Sequence, residues 1–372
     1  MPRLESKRNY ILSLFELAAL LIVGVLALEL FFNLFDIGQG EFLEPNLTYG
    51  SQHIPNKLVV WRLEGYSRDR LSSIGLRDVE HSIAKPAGVK RIALLGDSST
   101  EGLQVPFLDT YGHVLQTLLN KKTQKGIKYE VINFACSGYS TGQELLQYQR
   151  EVAQYKPDVV LLLYNCGDAV ENILEPIARH VAQPRPYFYL DANGALKEDP
   201  SILQANIDKL RPNPLMDFLR TNSRIFGVLS QTNLSLSINE PLYRKVTAWF
   251  SKHVHIGQSN EAANAKPVYY STQDSVKVTT TLLSQLNDKV KANGSRFVVA
   301  MFPNRNQDPD YARQEAAVLD LSKQKGFDYL DLTNIFVNRP DTNTLFLLYH
   351  FSSAGHKLAA EQILPVIQSK LP

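Results

Sequence analysis

The residue types best suited to chemistry lie in two short stretches near opposite ends of the chain. Gly96-Asp97-Ser98 directly follows the apolar run Arg91–Leu95, and the C-terminal region carries His350 and His356. A serine hydroxyl becomes a nucleophile when a neighbouring imidazole takes its proton, so such a pair could carry out acyl transfer. The pattern predicts Ser98 as the nucleophile and His350 as the base, with His356 in a structural role.

Short apolar runs alternate with helical patterns on both sides of these residues. Strands are predicted at Lys57–Leu63, Arg91–Leu95, Tyr129–Phe134, Asp158–Tyr164, Arg296–Phe302 and Asp328–Leu332. Helices are predicted at Tyr111–Leu119, Thr141–Gln154, Asp274–Ala292, Asp310–Lys325 and Ala354–Lys370. Alternating strands and helices form a parallel sheet that is covered on both faces, so the expected fold class is α/β.

Composition narrows the classes of function. The chain has 372 residues, of which 44% are hydrophobic and 20% charged, enough for one large domain with a full core. Net charge is +2 and the basic residues form no stripe, so nucleic acid is not an expected partner. The two cysteines, Cys136 and Cys166, exclude a disulfide framework and a cysteine zinc site, and leave open whether they pair. No metal or cofactor is implied.

The N-terminus differs from the rest of the chain. Residues 11–32 form an apolar run that as a helix would be about 33 Å long, enough to span a membrane. Its two carboxylates, Glu16 and Glu29, lie toward the ends of the run, where a charged residue adds least to the free energy of membrane insertion. Basic residues precede the run, namely Arg3, Lys7 and Arg8. The positive-inside rule therefore predicts a cytoplasmic segment at 1–10 and a single-pass protein with its domain outside the cytoplasm. A cleaved signal peptide and a buried core helix are the alternatives.

The remaining sequence divides into two parts. Residues 33–88 are interrupted by proline and glycine, as is typical of a linker with a lead-in that packs on the domain. Residues 89–372 carry the α/β pattern, which breaks down between about 171 and 268. That stretch is predicted to be an insertion over one end of the sheet.

At the motifs described above, the chain resembles the SGNH (GDSL) hydrolase family. The bacterial membrane-anchored branch of the family carries a lead-in similar to Ser73-Ile74-Gly75-Leu76-Arg77-Asp78. The resemblance runs from Ser73 to the C-terminus and implies a three-layer α/β/α sandwich with a flavodoxin-like sheet. In the 2-1-3-4-5 strand order, the ends of the first three strands meet at the topological switch point. Ser98, Gly138 and Asn165, which follow those strands, are therefore expected in one crevice.

The resemblance also implies an oxyanion hole, with one departure from the family pattern. Gly138 matches the family's glycine and, with the backbone N–H of Ser98, would hold the oxyanion. The family's asparagine position is occupied here by Gly167. Asn165 is the expected substitute, while Asn172 and the absence of any side-chain donor are the alternatives.

The second departure concerns the acid of the triad. Relatives carry aspartate two residues before the histidine, where this chain has Leu348. Three alternatives remain open. A backbone carbonyl orients His350 in a Ser–His dyad, Asp341 on the preceding loop supplies the acid, or activity is weak or absent.

These observations lead to an expected function. The predicted protein is a membrane-anchored, extracytoplasmic serine esterase that removes or transfers O-acyl groups, most simply acetyl, on a glycan of the cell envelope or a secreted glycan. The rival hypotheses are a lipid esterase or lysophospholipase, and a non-catalytic SGNH-like protein that binds or assembles glycans.

Overall fold

The structure is a computed structural model. It describes residues 2–38, 41–121, 126–173, 184–207, 214–228, 273–306 and 308–371. The chain divides into two compact units, one of residues 1–41 with 212–259 and one of residues 42–211 with 260–372. Much of the predicted insertion, including 229–268, lies outside the described residues.

The strands are β1 (Leu43–Asn46), β2 (Gly50–His53), β3 (Leu58–Trp61), β4 (Ser67–Arg70), β5 (Val89–Gly96), β6 (Lys128–Asn133), β7 (Val159–Tyr164), β8 (Tyr187–Leu190), β9 (Leu196–Asp199), β10 (Arg296–Met301) and β11 (Asp328–Asp331). The α-helices with defined bounds are α1 (Pro2–Leu34), α2 (Ser98–Glu101), α3 (Tyr111–Lys121), α4 (Thr141–Arg150), α5 (Asp168–Glu171), α6 (Ser201–Ile207), α7 (Pro214–Asn222), α8 (Gln273–Ala292), α9 (Pro309–Lys325), α10 (Thr333–Val337), α11 (Thr342–Leu345) and α12 (Ser353–Lys370).

A five-stranded parallel sheet forms the centre of the larger unit. Its order is β11-β10-β7-β5-β6, which is 2-1-3-4-5 when the strands are counted along the chain. In the central strand β7 every residue is buried, because successive side chains enter cores on opposite faces. The predicted α/β class and flavodoxin-like strand order are confirmed.

Each face of the sheet is covered by helices, so the unit is a three-layer sandwich. On one face Val160 and Leu162 join a core with residues of α4, α8 and α9. On the other face Val159 and Leu161 join a core with residues of α3, α10 and α12. Among the described residues both faces of the sheet are covered by helices, so functional groups meet solvent at the strand ends.

Two antiparallel hairpins precede the sheet, in the segment expected to be a linker and lead-in. β1 pairs with β2 and β3 pairs with β4. Val59 and Leu71 of the second hairpin are buried against Leu103, which lies just after α2. The second hairpin is therefore packed against the chain that follows Ser98. A third hairpin, β8 with β9, lies in the predicted insertion.

The smaller unit contains α1, whose apolar part is Ser13–Leu34. By length and composition this part could cross a membrane, and its side chains are exposed within the unit. Glu29 accepts hydrogen bonds from the hydroxyl of Ser223, at 3.0 Å, and from the backbone N–H of Ile225, at 3.2 Å. The carboxylate near the helix end is therefore satisfied by the protein itself.

Candidate active site

Ser98 is the first residue of a short helix at the carboxyl end of β5. The Asp97 carboxylate caps this helix by accepting a hydrogen bond from the backbone N–H of Ser99 at 2.7 Å. Burial raises the pKa of Asp97, and the hydrogen bond from Ser99 opposes that rise. The turn from strand to helix leaves Ser98 partly exposed at the sheet end, as the sequence predicted.

His350 lies in a tight loop between two buried phenylalanines. Phe346 and Phe351 form an isolated antiparallel bridge, and the backbone N–H of Leu347 donates to the carbonyl of His350 at 2.8 Å. The loop directs the imidazole toward α2, where Nε2 lies 2.8 Å from Oγ of Ser98. The two residues lie 252 positions apart in the chain, and the fold brings them into hydrogen-bond contact.

The other ring nitrogen of His350 contacts Glu64. Nδ1 lies 2.6 Å from Oε2 of Glu64, while Oε1 accepts from the backbone N–H groups of Tyr349, at 2.6 Å, and His350, at 3.0 Å. A carboxylate only accepts hydrogen bonds, so Nδ1 carries the proton. Nε2 is then unprotonated and accepts from the hydroxyl of Ser98, which is the tautomer that a general base requires.

Glu64 reaches His350 because the hairpin loop that carries it is pressed against the segment after α2. The backbone N–H of Tyr66 donates to the carbonyl of Gln104 at 3.1 Å. Gly65 has φ of +72°, and a Cβ there would lie 2.1 Å from the same carbonyl oxygen. Only glycine tolerates this close approach. The Ser67 hydroxyl also donates to the carbonyl of Leu103 at 2.6 Å, which fixes the loop.

The surroundings of Glu64 favour its charged form. Burial acts to raise the pKa of the carboxyl, since its side chain is only 10% exposed. Hydrogen bonds from the His350 ring and from the backbone N–H of Tyr349 outweigh that effect and leave the pKa of Glu64 below its ordinary value. Glu64 is therefore an anion at neutral pH, able to stabilise an imidazolium at His350.

The structure does not support the two groups considered as alternatives for orienting His350, namely Asp341 and a backbone carbonyl. Asp341 is bonded to Arg339, with its two oxygens 2.8 and 3.0 Å from the guanidinium, and it is exposed. No backbone carbonyl takes the place of the acid, because the Nδ1 contact of His350 is a carboxylate. The expectation for Asp341 was wrong because proximity along the chain did not bring its side chain to the ring. Leu348, two residues before His350, is 60% exposed.

Gly138 lies in a turn after β6. The N–H of Tyr139 donates to the carbonyl of Cys136 at 3.1 Å, and Gly138 has φ of +79°. A positive φ at the third position of such a turn is typical of type II. Among the described residues nothing lies within 4 Å of where a Cβ would be, and none accepts a hydrogen bond from its N–H. This N–H is therefore free to bind a ligand.

Asn165 and Asn172, the two asparagines considered as side-chain donors for the oxyanion hole, have different surroundings. The Asn165 amide nitrogen donates to Oδ2 of Asp97 at 3.0 Å, and its oxygen accepts from the N–H of Gly167 at 3.0 Å. Asn165 thus lies beside the nucleophile's helix, with one amide hydrogen engaged. Asn172 is fully buried and bridges the N–H of Gly142 and the hydroxyl of Thr279, which is a structural role.

His356 is fully buried in the core. Its Nδ1 accepts from the backbone N–H of Tyr111 at 3.2 Å, and its ring stacks on that of Tyr111. Burial, assisted by the charge of Arg77, lowers the pKa of His356 to about 3, so it is neutral at neutral pH. These surroundings agree with the structural role predicted for it.

Cys136 and Cys166 are both buried and both free, so they do not form a disulfide.

The residue that sequence reasoning missed is Glu64. It lies 286 positions before His350, in a segment interpreted as a lead-in, and no spacing connects the two. One feature of the sequence could have directed attention there. Glu64-Gly65 follows the predicted strand Lys57–Leu63, where a turn would place a carboxylate at the end of a hairpin.

The fold and the site together define a class of protein. A doubly wound α/β sandwich carries a serine, a histidine and a carboxylate in one hydrogen-bonded chain at the carboxyl end of its strands. That arrangement is typical of serine hydrolases. Among the described residues no group of three or more His, Cys, Asp or Glu side chains is placed to hold a metal ion.

Comparison with protein families identifies the class more closely. Residues 94–235 match the model of the GDSL-like lipase/acylhydrolase family. This part of the chain is therefore similar to GDSL-like lipases and acylhydrolases, in agreement with the resemblance that the motifs indicated. The activity that this family implies is ester hydrolysis.

Other comparisons give more distant similarities. No curated protein sequence matches the chain. Solved structures similar to it include TesA, at 11% identity and a TM-score of 0.41, covering 76% of this chain and 100% of that one. A lipase/acylhydrolase from Enterococcus faecalis has 12% identity and a TM-score of 0.42, with 76% and 97% covered. A catalytic mutant of an acetylxylan esterase from Geobacillus stearothermophilus has 13% identity and a TM-score of 0.40, with 75% and 94% covered.

Proposed function

We propose that this protein is a membrane-anchored serine esterase that removes or transfers acetyl groups on a glycan outside the cytoplasm. The observation that carries the proposal is the chain of two hydrogen bonds from Ser98 to His350, at 2.8 Å, and from His350 to Glu64, at 2.6 Å. Ser98 is the nucleophile, His350 the general base and Glu64 the acid that orients the ring.

In the first half of the reaction, Oγ of Ser98 attacks the carbonyl carbon of the ester. Nε2 of His350 takes the hydroxyl proton, and the resulting imidazolium is stabilised by the Glu64 carboxylate. The carbonyl π electrons move onto oxygen to give a tetrahedral oxyanion. As the oxyanion collapses, the C–O bond to the sugar breaks, and His350 gives its proton to the departing sugar oxygen.

In the second half, water or another sugar hydroxyl attacks the acyl group on Ser98. His350 again takes the proton and returns it to Oγ of Ser98 as the acyl bond breaks. The product is a free carboxylic acid when water attacks and a new ester when a hydroxyl attacks. No cofactor takes part in either half.

Hydrogen-bond donors for the oxyanion come from the two loops that flank the nucleophile. We assign this role to the backbone N–H groups of Ser98 and Gly138. Asn165 is the proposed third donor through its remaining amide hydrogen, since the other is bonded to Asp97 at 3.0 Å. Each such donor is typically worth about 3 kcal/mol of transition-state stabilisation.

The proposal of a short acyl group is supported by the openness of the site. Ser98 and His350 are both partly exposed. A cavity of about 1060 Å³ among the described residues is lined by residues such as Tyr187, Phe188 and Lys277 and includes neither Ser98 nor His350. A long acyl chain needs an apolar channel beside the nucleophile, whereas an acetyl group on a bulky sugar needs only an open crevice.

Substrate preference is the test of this proposal. We expect kcat/KM for p-nitrophenyl acetate to exceed that for p-nitrophenyl laurate by at least about tenfold, because an open crevice buries little of a longer acyl chain. An O-acetylated xylooligosaccharide should release acetate, and lysophosphatidylcholine should not be cleaved. The Ser98→Ala variant serves as the control for each substrate.

Two other outcomes would contradict the proposed function and favour one of the rival hypotheses. Preference for laurate or lysophosphatidylcholine would indicate a lipid esterase. Failure to turn over any of these esters, together with failure of a fluorophosphonate probe to label Ser98, would indicate a non-catalytic protein that binds or assembles glycans.

We also infer that residues 11–32 anchor the protein, with residues 1–10 in the cytoplasm. The supporting features are the exposed apolar helix Ser13–Leu34 and the basic residues before it. We expect alkaline phosphatase fused after Gly50 to be active and β-galactosidase at the same point to be inactive. The reverse result would contradict this topology, and an N-terminally shortened mature protein would show a cleaved signal peptide instead.

A further inference from the structure

Glu101 is a buried carboxylate in the same helix as the nucleophile. It lies one helical turn after Ser98 and is fully buried. Its Oε2 accepts a hydrogen bond from the backbone N–H of Ser137 at 2.7 Å and a second from the Ser137 hydroxyl. Its Oε1 lies 2.9 Å from Nε2 of His53, a buried residue at the end of β2. A buried carboxylate is costly unless it is paired, and here both oxygens have partners.

Ser137 immediately precedes the glycine of the proposed oxyanion hole. It is the second residue of the type II turn Cys136–Tyr139, and Gly138 is the third. The direction of the Gly138 N–H is set by the peptide plane that joins it to Ser137. The contacts of Glu101 fix the N–H and the hydroxyl of Ser137 on one side of that plane, and the hydrogen bond from the Tyr139 N–H to the Cys136 carbonyl, at 3.1 Å, closes the turn on the other side. Together these contacts restrict rotation of the Ser137–Gly138 peptide. The carboxylate that does so is rigidly joined to Ser98 through one turn of helix.

His53 is the residue that keeps Glu101 charged. Burial acts to lower the pKa of His53, but the neighbouring Cys136 and Glu101 raise it well above its ordinary value. Burial likewise acts to raise the pKa of Glu101, and His53, Ser137 and Arg77 bring it below its ordinary value. Arg77 also donates to the backbone carbonyls of Glu101, at 2.8 Å, and Gly102, at 2.6 Å. The end of α2 is thus held from two sides by the lead-in segment.

We propose that Glu101 is a positioning residue, which, braced by His53, holds Ser137 so that the Gly138 N–H and the Ser98 N–H converge on one oxyanion. This inference rests on the proposed esterase function and adds residues to it that lie outside the reacting groups. Neither Glu101 nor His53 touches the substrate. Their contribution is to the geometry of the transition state, where a displacement of about 1 Å can lower the rate about 100-fold.

A partly buried carboxylate provides a control with similar partners. Glu130 in β6 lies 2.8 Å from Nδ1 of His81 and accepts from Nε of Arg91 at 2.6 Å. It therefore combines the same residue types as Glu101, in a similar His–Glu–Arg cluster. Arg91 lies in the first half of β5, five residues before Gly96 and so roughly 17 Å from the strand end that carries Ser98.

The experiment compares Glu101→Met with Glu130→Met in the full chain. Methionine keeps the side-chain length and removes both acceptor oxygens. We expect Glu101→Met to lower kcat for p-nitrophenyl acetate by about 10- to 100-fold, with KM within about twofold, because the lost contact acts in the transition state. Glu130→Met should lower Tm and leave kcat within about twofold.

Glu101→Gln is the conservative variant, because its amide oxygen can still accept from the Ser137 N–H. It is expected to recover most of the lost kcat. If Glu101→Met does not fold, Ser137→Ala decides the question, because it should lower kcat by about 3- to 10-fold through loss of the hydroxyl contact alone. Unchanged kcat in a folded Ser137→Ala variant would then overturn the proposal.

The outcomes separate this inference from the proposed function. An active wild-type enzyme, in which Glu101→Met changes Tm and kcat no differently from Glu130→Met, would refute only the positioning role. A wild-type protein that neither turns over p-nitrophenyl acetate nor reacts with a fluorophosphonate would refute the esterase function, and the positioning role with it.

Discussion

Glu64→Gln is expected to lower kcat for p-nitrophenyl acetate about 10⁴-fold, the size of effect seen when the acid of a serine-protease triad is replaced by its amide. The physical reason is the proton on the imidazole. Glu64 accepts from Nδ1 of His350 at 2.6 Å, which leaves Nε2 free to accept from Ser98. An amide can donate to Nδ1 instead, and the ring then carries its proton on Nε2, where it cannot act as a base.

The matched control is Asp341→Asn, which removes the same charge from an exposed residue of the neighbouring loop. Its carboxylate contacts Arg339, so kcat should stay within about twofold of the wild type. Melting curves establish that both variants fold. If Glu64→Gln keeps full activity, or if Asp341→Asn loses as much, the assignment of the acid is wrong.

Ser98→Ala is expected to abolish ester turnover, with a loss of at least about 10⁴-fold in kcat after spontaneous hydrolysis is subtracted. Without Oγ no acyl-enzyme forms, and the oxyanion donors act only on direct attack by water. Labelling by a fluorophosphonate should disappear completely, because this probe bonds to an activated serine hydroxyl. The backbone of α2 should be unchanged, since its cap is Asp97.

Ser353→Ala is the control for this substitution. Ser353 begins α12, three residues after His350, and its exposed hydroxyl contacts Asp109 at 2.8 Å. The Ser353→Ala variant should react with the fluorophosphonate probe at the wild-type rate. Wild-type turnover or labelling in Ser98→Ala would show that another residue is the nucleophile.

The elements of the sheet could be predicted because their patterns are local. The strand predicted at Asp158–Tyr164 is observed at Val159–Tyr164, and the helix predicted at Asp274–Ala292 is observed at Gln273–Ala292. A continuous apolar run and a 3.6-residue period each reflect burial by neighbouring layers. The helix predicted at Thr141–Gln154 is interrupted after Arg150, where a short 3-10 turn follows.

Residues at the ends of strands could be placed for a related reason. In a parallel sheet all carboxyl ends lie on one edge, so Ser98 and Asn165, which follow β5 and β7, had to approach one another whatever the details of packing. The structure places Asn165 against Asp97, next to Ser98. The particular hydrogen bond that its amide makes depends on side-chain geometry and was beyond prediction.

From the sequence alone, the α/β class, the candidate nucleophile Ser98 and the candidate base His350 were already determined, because short motifs and periodicity encode them. The tertiary structure decided that the third member of the chain is Glu64. No local pattern encodes this, since the acid's position depends on the docking of a hairpin loop, through Gly65, on the backbone of Gln104. Such a contact between distant segments exists only after both have folded, and it converts a site that seemed to lack its acid into one with a complete hydrogen-bonded chain.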